Sequence, residues 1–159
     1  MNSKVALIIG AGTSLGSSIT KVFADDNFTV VPVRREGEKL KPLEEEINSK
    51  GGKCFSFSLD ARKEDEVQNF IERVEREIGE IEVAVYNIGA NIKYNLTETS
   101  SKKYFKVWEM ATFGAFLMGR EVAKNMIKRK RGTIIFTGAT ASIRGGDGFS
   151  AFAGAKNAK

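Results

Sequence analysis

VALIIGAGTSLG, at residues 5–16, joins a short apolar run to a glycine-rich turn and the start of an amphipathic segment. The five apolar residues 5–9 predict a buried strand, because a strand covered on both faces carries apolar side chains at every position. Leu15, Ile19 and Phe23 then recur with helical spacing. The sequence therefore predicts a strand, a tight turn and a helix in direct succession.

The same alternation of apolar runs and helical spacing continues along the chain. Further strands are expected at residues 28–33, 54–59, 81–86 and 132–137. Further helices are expected at residues 36–50, 65–78 and 101–128, and another begins at residue 150. Strands joined by helical crossovers are parallel, and the crossovers are right-handed. We therefore predict an α/β fold, a Rossmann-type doubly wound parallel sheet of strand order 3-2-1-4-5, in a single domain over residues 1–159.

The composition excludes several kinds of site. The chain has 42% hydrophobic and 28% charged residues, as ordinary globular domains do. Its apolar runs are all far shorter than the roughly 20 residues of a membrane span, so we expect no membrane partner. The absence of histidine and the single cysteine, Cys54, exclude a zinc site and a Cys–His catalytic pair, so no metal is expected.

Two further features bear on location. A lone cysteine is consistent with a reducing compartment, and we expect a cytoplasmic protein. The glycines near the N-terminus and the lack of a small-residue cleavage site argue against a signal peptide, so we expect the chain to start with its first strand.

The net charge of +5 is compatible with an anionic cofactor or a nucleic acid. The basic run at residues 128–131 falls where the long helix should end, and cations complement the negative end of a helix dipole. No aromatic residues are interleaved with it, as they are in surfaces that stack bases. We interpret this run as a solvated helix terminus and expect no nucleic-acid partner.

The turn at residues 10–16 has the composition of a phosphate-binding loop. Amides at the start of a helix carry partial positive charge, and glycine lets a pyrophosphate approach the backbone closely. A glycine turn is also an ordinary strand-to-helix connection, but its place between a strand and a helix favours a dinucleotide site. The predicted cofactor-binding residues here are Gly10, Gly12, Thr13, Ser14, Leu15 and Gly16.

Arg34 and Arg35 follow the second expected strand, where dinucleotide-binding units select their cofactor. A carboxylate there accepts hydrogen bonds from the ribose 2′-OH of NAD, whereas arginine accommodates the 2′-phosphate of NADP. Two guanidiniums complement that phosphate in charge and geometry. We therefore predict NADP(H) rather than NAD(H) as the cofactor. The alternative is a solvated loop in which Glu36 is the partner of the arginines.

These residues resemble the short-chain dehydrogenase/reductase family. The loop is similar to the TGxxxGxG pattern of that family, with Gly10 and Gly16 retained, Ile9 at the threonine and Ser14 at the middle glycine. Asp60 and Ala61 stand where the family places an aspartate that touches the adenine. YNIG, at residues 86–89, is similar to the family's NNAG motif with Tyr86 at the first asparagine.

The resemblance implies cofactor contacts for the residues at these two strand ends, Asp60, Ala61, Asn87 and Gly89. Each segment is also a common turn after a strand, so a purely structural role stays open for both.

The family's catalytic tetrad of Asn, Ser, Tyr and Lys is altered in this sequence. FAGAK, at residues 152–156, matches the YxxxK signature with Phe152 in place of tyrosine and Lys156 retained. Ala139 and Ala111 stand at the serine and asparagine positions, and a small shift in loop length would bring Ser142 into the serine role. The resemblance implies that Lys156 contacts the nicotinamide ribose and, with Ser142, forms the catalytic pair.

The sequence most resembles a subgroup of the family that carries YNxGAN, FTGATAS and AFAxAK together, and all three are present here as YNIGAN, FTGATAS and AFAGAK. This resemblance indicates a maintained alternative site. The family continues with two more strands, so this chain is either a truncated product or a short form whose sheet edge a partner covers. The family also pairs the helix at 101–128 between subunits, which implies a possible homo-oligomer, although its apolar residues from Trp108 to Met118 equally suit a core.

Two functions remain open at this point. The first is an NADP(H)-dependent oxidoreductase that transfers hydride between the nicotinamide and a small carbonyl or alcohol substrate. The second is an NADP(H)-binding protein with little or no turnover, acting as a sensor or subunit partner. Lys156 and the coherent subgroup pattern favour the first, whereas the missing tyrosine and serine favour the second.

Overall fold

The structure, a computed structural model, describes residues 4–159. Its strands are β1 (Lys4–Ile9), β2 (Thr29–Arg34), β3 (Lys53–Cys54), β4 (Phe57–Ser58), β5 (Glu80–Tyr86) and β6 (Thr133–Phe136). Its α-helices are α1 (Leu15–Asp25), α2 (Lys41–Ser49), α3 (Glu64–Glu77), α4 (Ser101–Trp108), α5 (Gly114–Arg129) and α6 (Ser150–Asn157). Short 3₁₀ turns lie at Gly37–Leu40, Leu96–Glu98 and Thr140–Ser142.

The strands form one parallel sheet in the order β3-β2-β1-β5-β6, with β4 also paired to β2. Because β3 and β4 together occupy the place of the third expected strand, the predicted order 3-2-1-4-5 is confirmed. Helices cover both faces, which is the arrangement that parallel strands require. The carboxyl ends of β1, β2 and β5 meet at one rim of the sheet.

The third strand differs from the prediction of one continuous strand at 54–59. Side chains from α2 bind the backbone around its interruption. The Asn48 side chain exchanges two hydrogen bonds with the backbone of Cys54, at 2.8 and 3.2 Å. The Glu44 carboxylate accepts from the Ser56 amide at 3.3 Å and from its hydroxyl. These bonds satisfy the polar groups that a continuous ladder would otherwise pair.

The two core layers follow the alternation of side chains along β1. Val5, Leu7 and Ile9 pack on the face covered by α3 and α5, whereas Ala6 and Ile8 pack on the face covered by α1 and α2. All five side chains are at most 1% exposed. Burying a large aliphatic side chain contributes about 1.5–3 kcal/mol, so β1 stabilises both layers at once.

The long helix expected at 101–128 is present but is not uniform. A π turn at Glu109–Phe113 joins α4 to α5. Around it, Phe105, Trp108, Phe113 and Phe116 stack in succession with centroids 5.8–6.2 Å apart. Phe116 is 54% exposed whereas Leu117 is buried, so the apolar stretch is divided between the surface and the core. Within residues 4–159 no helix is long and apolar enough to cross a bilayer.

The basic run at 128–131 does lie at a helix end, but it is not simply solvated. The Arg129 guanidinium binds the Glu75 carboxylate at 3.0–3.1 Å and also donates to the carbonyl of Ile81. Arg131 is paired with Glu82 at 2.8 Å and with Glu80. Two of the four cations therefore attach the end of α5 to the sheet and to α3.

Gly16 is the tightest point of contact between α1 and the turn that precedes it. A Cβ atom there would lie 2.4 Å from the carbonyl oxygen of Gly10 and 2.7 Å from the Cα of Ala11. Both neighbours are backbone atoms, so they cannot move aside as a flexible side chain would. At Gly12, in the same turn, a Cβ would meet no atom within 4 Å.

Gly16→Ala is expected to lower the free energy of unfolding by about 1–3 kcal/mol, because the added methyl group forces α1 away from the turn. Gly12→Ala is the matched control and should change it by less than about 1 kcal/mol. Urea-induced unfolding followed by circular dichroism measures both. Equal effects of the two substitutions would contradict this account of the turn.

Candidate functional site

The glycine turn is attached to both neighbouring strands at the carboxyl rim. The carbonyl oxygen of Val33, in β2, accepts from the amides of Gly10 at 2.9 Å and Ala11 at 3.0 Å. On the other side, the Asn87 amide donates to Ile9 at 2.8 Å, and its side chain donates to the Gly10 carbonyl at 3.1 Å. Asn87, which was predicted as a cofactor contact, thus holds the turn against β5.

The turn leaves donors available where α1 begins. The first amides of a helix have no partner within it. In residues 4–159, the amides of Thr13, Ser14, Leu15 and Gly16 make no backbone hydrogen bond, and Ser14 provides no side-chain cap. The side chains of Thr13, Ser14 and Leu15 are exposed. These donors and the helix dipole fit an anionic group such as a pyrophosphate.

A cleft of about 250 Å³ runs along the carboxyl rim beside the turn. It brings together most of the predicted cofactor residues: Gly10, Gly12, Arg34, Arg35, Asp60, Ala61, Asn87 and Gly89. Sequence reasoning did not identify five other residues that line it as contacts, Glu36, Arg62, Tyr86, Ile88 and Met110. We refer to this space as the rim cleft.

Arg34, the last residue of β2, and Arg35, which follows it, are the arginines of the rim cleft that make no ion pair within residues 4–159. Neither Arg34 nor Arg35 has a side-chain hydrogen bond or ion pair to any of the residues that the structure describes. Glu36, the alternative partner, is instead paired with Lys39 at 2.5 Å. That hydrogen bond, more than the nearby arginines, lowers the pKa of Glu36. The guanidiniums therefore remain available to a phosphate.

Asp60 is held by an arginine that follows it in the chain. Arg62 donates to the two carboxylate oxygens from Nε at 2.8 Å and from Nη2 at 2.6 Å. This bidentate contact lowers the pKa of Asp60, so its carboxylate is ionised at neutral pH. Arg62 also lies 3.5 Å from the Glu109 carboxylate in the π turn. The adenine-side residue expected from the sequence is thus connected to the long helix.

Tyr86 occupies the floor of the rim cleft and connects it to the π turn. Its side chain is fully buried, and burial raises the pKa of the phenol, which therefore stays a donor. The hydroxyl donates to the carbonyl oxygen of Met110 at 2.7 Å. A Cβ at Gly114 would lie 2.1 Å from the Tyr86 oxygen, so the ring fits only because residue 114 is glycine.

Lys156 lies at the other end of the rim. Its side chain is 7% exposed, and its Nζ atom donates to the carbonyl oxygen of Thr137 at 3.0 Å. A Cβ at Gly89 would lie 3.1 Å from that Nζ, which places the ammonium beside the turn after β5. The Phe152 ring centroid is 5.9 Å from the same atom. Lys156 and Phe152 therefore face one space, as one helical turn of separation requires.

The asparagine and serine positions of the tetrad are occupied by Ala111 and Ala139, and the nearby Ser142 already makes a hydrogen bond within its own turn. Ala111 is buried within the π turn. The Ser142 hydroxyl accepts from the amide of Ala139 at 3.0 Å and closes the 3₁₀ turn. This bond gives Ser142 a structural task, and its predicted catalytic role stays a prediction.

Lys159 is a second ammonium in the same region, and the sequence reasoning did not select it. Its Nζ atom donates to the Ile88 carbonyl at 2.9 Å and lies 5.2 Å from the centroid of the Tyr86 ring. Burial and the neighbouring charge of Lys156 lower the pKa of Lys159 to about 7. Its spacing of three residues from Lys156 was the available signal.

A larger cavity, of about 480 Å³, lies at the opposite rim of the sheet, between the ends of α1 and α2. Lys21, Glu46 and Lys50 line it and are already joined by ion pairs of 2.7 and 2.9 Å. In doubly wound sheets, ligands bind outside the carboxyl ends of the strands. The smaller rim cleft is therefore the better candidate site.

The sheet and the rim cleft define a Rossmann-like α/β protein with a candidate dinucleotide site at its carboxyl rim. The sequence model of the short chain dehydrogenase family matches residues 4–159, and the chain belongs to that family. Members of this family bind nicotinamide cofactors. The predicted family resemblance is thereby confirmed.

Individual relatives agree with this assignment. A short-chain dehydrogenase from Rhodopseudomonas palustris is 48% identical, superposes with a TM-score of 0.93, and is matched over 99% of this chain and 74% of its own. The 3-oxoacyl-[acyl-carrier-protein] reductase of Bos taurus is 26% identical over 96% of this chain and 63% of its own length. This chain therefore spans slightly less than two thirds of that reductase.

A structure of actinorhodin polyketide ketoreductase with NADPH superposes with a TM-score of 0.93. It is 23% identical and covers 98% of this chain and 60% of its own. At that identity the likeness concerns the fold alone.

Tyr86→Phe is expected to lower the free energy of unfolding by about 1–2 kcal/mol, because the Met110 carbonyl loses its donor in a buried place. Tyr104→Phe is the control, since its hydroxyl makes no hydrogen bond within residues 4–159, and it should change stability by less than about 0.5 kcal/mol. Urea-induced unfolding measures both. A Tyr86→Phe protein as stable as the control would contradict the role given to this bond.

Proposed function

We propose that this protein is an NADP(H)-dependent oxidoreductase that acts on a small carbonyl or alcohol substrate. The proposal rests chiefly on one observation: Arg34 and Arg35 line the rim cleft, and neither forms an ion pair with a carboxylate of residues 4–159. Oxidoreductase relatives such as the bovine reductase support the reaction class. The cytoplasmic location expected from the sequence belongs to the same proposal.

The residues of the rim fit a phosphorylated dinucleotide from one end to the other. The amides at the start of α1 would hold the pyrophosphate, and Arg34 and Arg35 would hold the 2′-phosphate. Asp60, kept ionised by Arg62, would accept from the adenine amine. Lys156, with Gly89 beside it, would hold the nicotinamide ribose, and Asn87 would contact the cofactor from the end of β5. When bound, the cofactor supplies or accepts the hydride.

Proton transfer is the step in which this site departs from its family. The Phe152 ring carries no exchangeable proton, and Ala139 offers no hydroxyl to orient a carbonyl. Loss of a positioned general acid typically slows a reaction by about 10²–10⁴-fold. Lys156 Nζ lies 5.9 Å from the centroid of the Phe152 ring, and its hydrogen bond to the Thr137 carbonyl keeps it there. The site thus orients a substrate better than it protonates one.

NADPH is expected to bind at least about tenfold more tightly than NADH, because the two guanidiniums meet a charge that NADH lacks. The double substitution Arg34→Gln with Arg35→Gln should remove this preference. Arg73→Gln with Arg76→Gln, on the outer face of α3, changes net charge equally and serves as the control. Isothermal titration calorimetry measures all three proteins, and equal binding of both nucleotides to the native chain would overturn the assignment.

Phe152→Tyr is expected to raise NADPH-dependent carbonyl reduction by about tenfold or more, because it places a phenol beside Lys156 Nζ. Phe149→Tyr, just before α6, adds a phenol outside the signature and should leave the rate unchanged. Initial rates with a panel of small ketones and aldehydes provide the measurement. An unchanged rate in a Phe152→Tyr protein that still binds NADPH would instead favour a cofactor-binding protein without turnover.

A further inference from the structure

The π turn at Glu109–Phe113 makes contacts both with the rim cleft and with α6. Met110 lines the rim cleft and accepts from the Tyr86 hydroxyl, whereas Ala111 packs against α6. Turns of this kind are rare, and they occur frequently at functional sites. The turn therefore joins the wall of the rim cleft to the helix that carries Lys156.

Thr112 makes the polar contact between the π turn and α6. Its hydroxyl, which is half-buried, donates to the carbonyl oxygen of Ala155 at 2.8 Å. Within residues 4–159, this is the one side-chain hydrogen bond between these two segments. The accepting carbonyl belongs to the peptide group that joins Ala155 to Lys156, so the bond acts directly on the backbone of Lys156.

Small apolar side chains make much of the remaining contact between α6 and the long helix. Val107 and Ala111 meet Ala151 and Ala155, and each of the four is at most 5% exposed. Apolar contacts are not directional, so they do not by themselves fix how α6 is shifted or rotated against its neighbour. A hydrogen bond weakens steeply when its geometry is distorted. The Thr112 hydroxyl therefore supplies the directional restraint on α6.

Lys156 is held at both ends of its side chain. Its backbone is restrained through the Ala155 carbonyl, and its Nζ atom donates to the Thr137 carbonyl at 3.0 Å. The side chain is 7% exposed, and a Cβ at Gly89 would lie 2.9 Å from its Cε atom. In such a close space the side chain has little room to compensate for a displaced backbone. Thr112 itself does not line the rim cleft, so it can affect a ligand there only through other residues.

We propose that Thr112 is a positioning residue for Lys156: its hydroxyl fixes the preceding peptide group and so sets where the ammonium meets the nicotinamide half of the cofactor. The inference rests on the proposed function, in which Lys156 holds the nicotinamide ribose. Displacing a positioned group by about 1 Å can cost about 10²-fold in rate. The adenosine half should be unaffected, because Arg34, Arg35 and Asp60, which would hold it, lie on other elements.

Thr112→Val keeps the branched shape of the side chain and removes its hydroxyl. It is expected to weaken NADPH about three- to tenfold, the size expected when one neutral hydrogen bond is lost. Binding of 2′,5′-ADP, which lacks the nicotinamide half, should not change. Thr112→Ser retains the hydroxyl and should bind NADPH as the native chain does. Thr99→Val is the matched control, since the Thr99 hydroxyl also donates to a backbone carbonyl, that of Asn95 at 2.9 Å, and it should change neither affinity.

Lys156→Met tests whether Thr112 acts through Lys156. This substitution removes the ammonium and should weaken NADPH about tenfold or more. Adding Thr112→Val to Lys156→Met should cause no further weakening, because substitutions that remove the same contact are not additive. Competition titrations against a fluorescent adenine nucleotide give all of these affinities, and urea-induced unfolding shows that each variant is folded.

Three results would overturn the positioning role alone, provided that Lys156→Met weakens NADPH. The first is a Thr112→Val protein that binds NADPH as tightly as the Thr99→Val control, or that loses NADPH and 2′,5′-ADP equally. The second is a Thr112→Ser protein as weak as Thr112→Val, and the third is equal weakening by Thr112→Val in the native and the Lys156→Met background. If Lys156→Met leaves NADPH binding unchanged, the proposed contact with the nicotinamide ribose fails, and this inference fails with it.

Discussion

The Val33 carbonyl oxygen is the point on which the carboxyl rim depends. It accepts from two successive amides of the glycine turn, while Asn87 holds the same turn from the side of β5. Gly10 adopts a φ of +95°, which lets the chain turn from β1 towards α1. Because the turn is held at these strand ends, α1 begins at the carboxyl rim, and its first amides have no backbone partner among residues 4–159.

Two kinds of chemistry are separated along that rim. The end near β2 and β4 carries guanidiniums and carboxylates, and it suits the recognition of a charged nucleotide. The end near β5 and α6 carries the buried ammonium of Lys156 and the partly buried side chain of Lys159 next to aromatic rings, and it suits the orientation of an uncharged group. Tyr86 connects the two ends, since its hydroxyl holds the π turn and its ring lies beneath Lys159.

Much of this architecture could be predicted from the sequence, because apolar periodicity reports which faces are buried. The strand order and the helix α3, expected at 65–78 and found at Glu64–Glu77, are examples. The division of the third strand was not predicted, since it depends on Asn48 and Glu44 reaching across from α2. The π turn was also missed, because a helix with one extra residue in a turn keeps nearly the same apolar spacing.

Only part of the candidate site could be predicted, because a sequence motif reports residues on one segment and not residues that separate turns bring together. Motif spacing identified the glycine turn, the arginine pair and Lys156, which lie on single segments. Arg62 and the ion pair of Glu36 with Lys39 have no motif, and their roles follow only from the meeting of separate turns. For Arg62, the only sequence signal of a role in the site was a charged residue close to the end of a strand.

The central claim is that the amides at the start of α1 and the two arginines at the end of β2, Arg34 and Arg35, form one binding site. The most direct measurement is a two-dimensional nitrogen–proton NMR titration of the chain with NADPH. The account predicts the largest shifts at the amides of residues 12–16 and 34–35. Shifts concentrated at the opposite rim, around Lys21 and Gly51, or no saturable shifts at all, would contradict it.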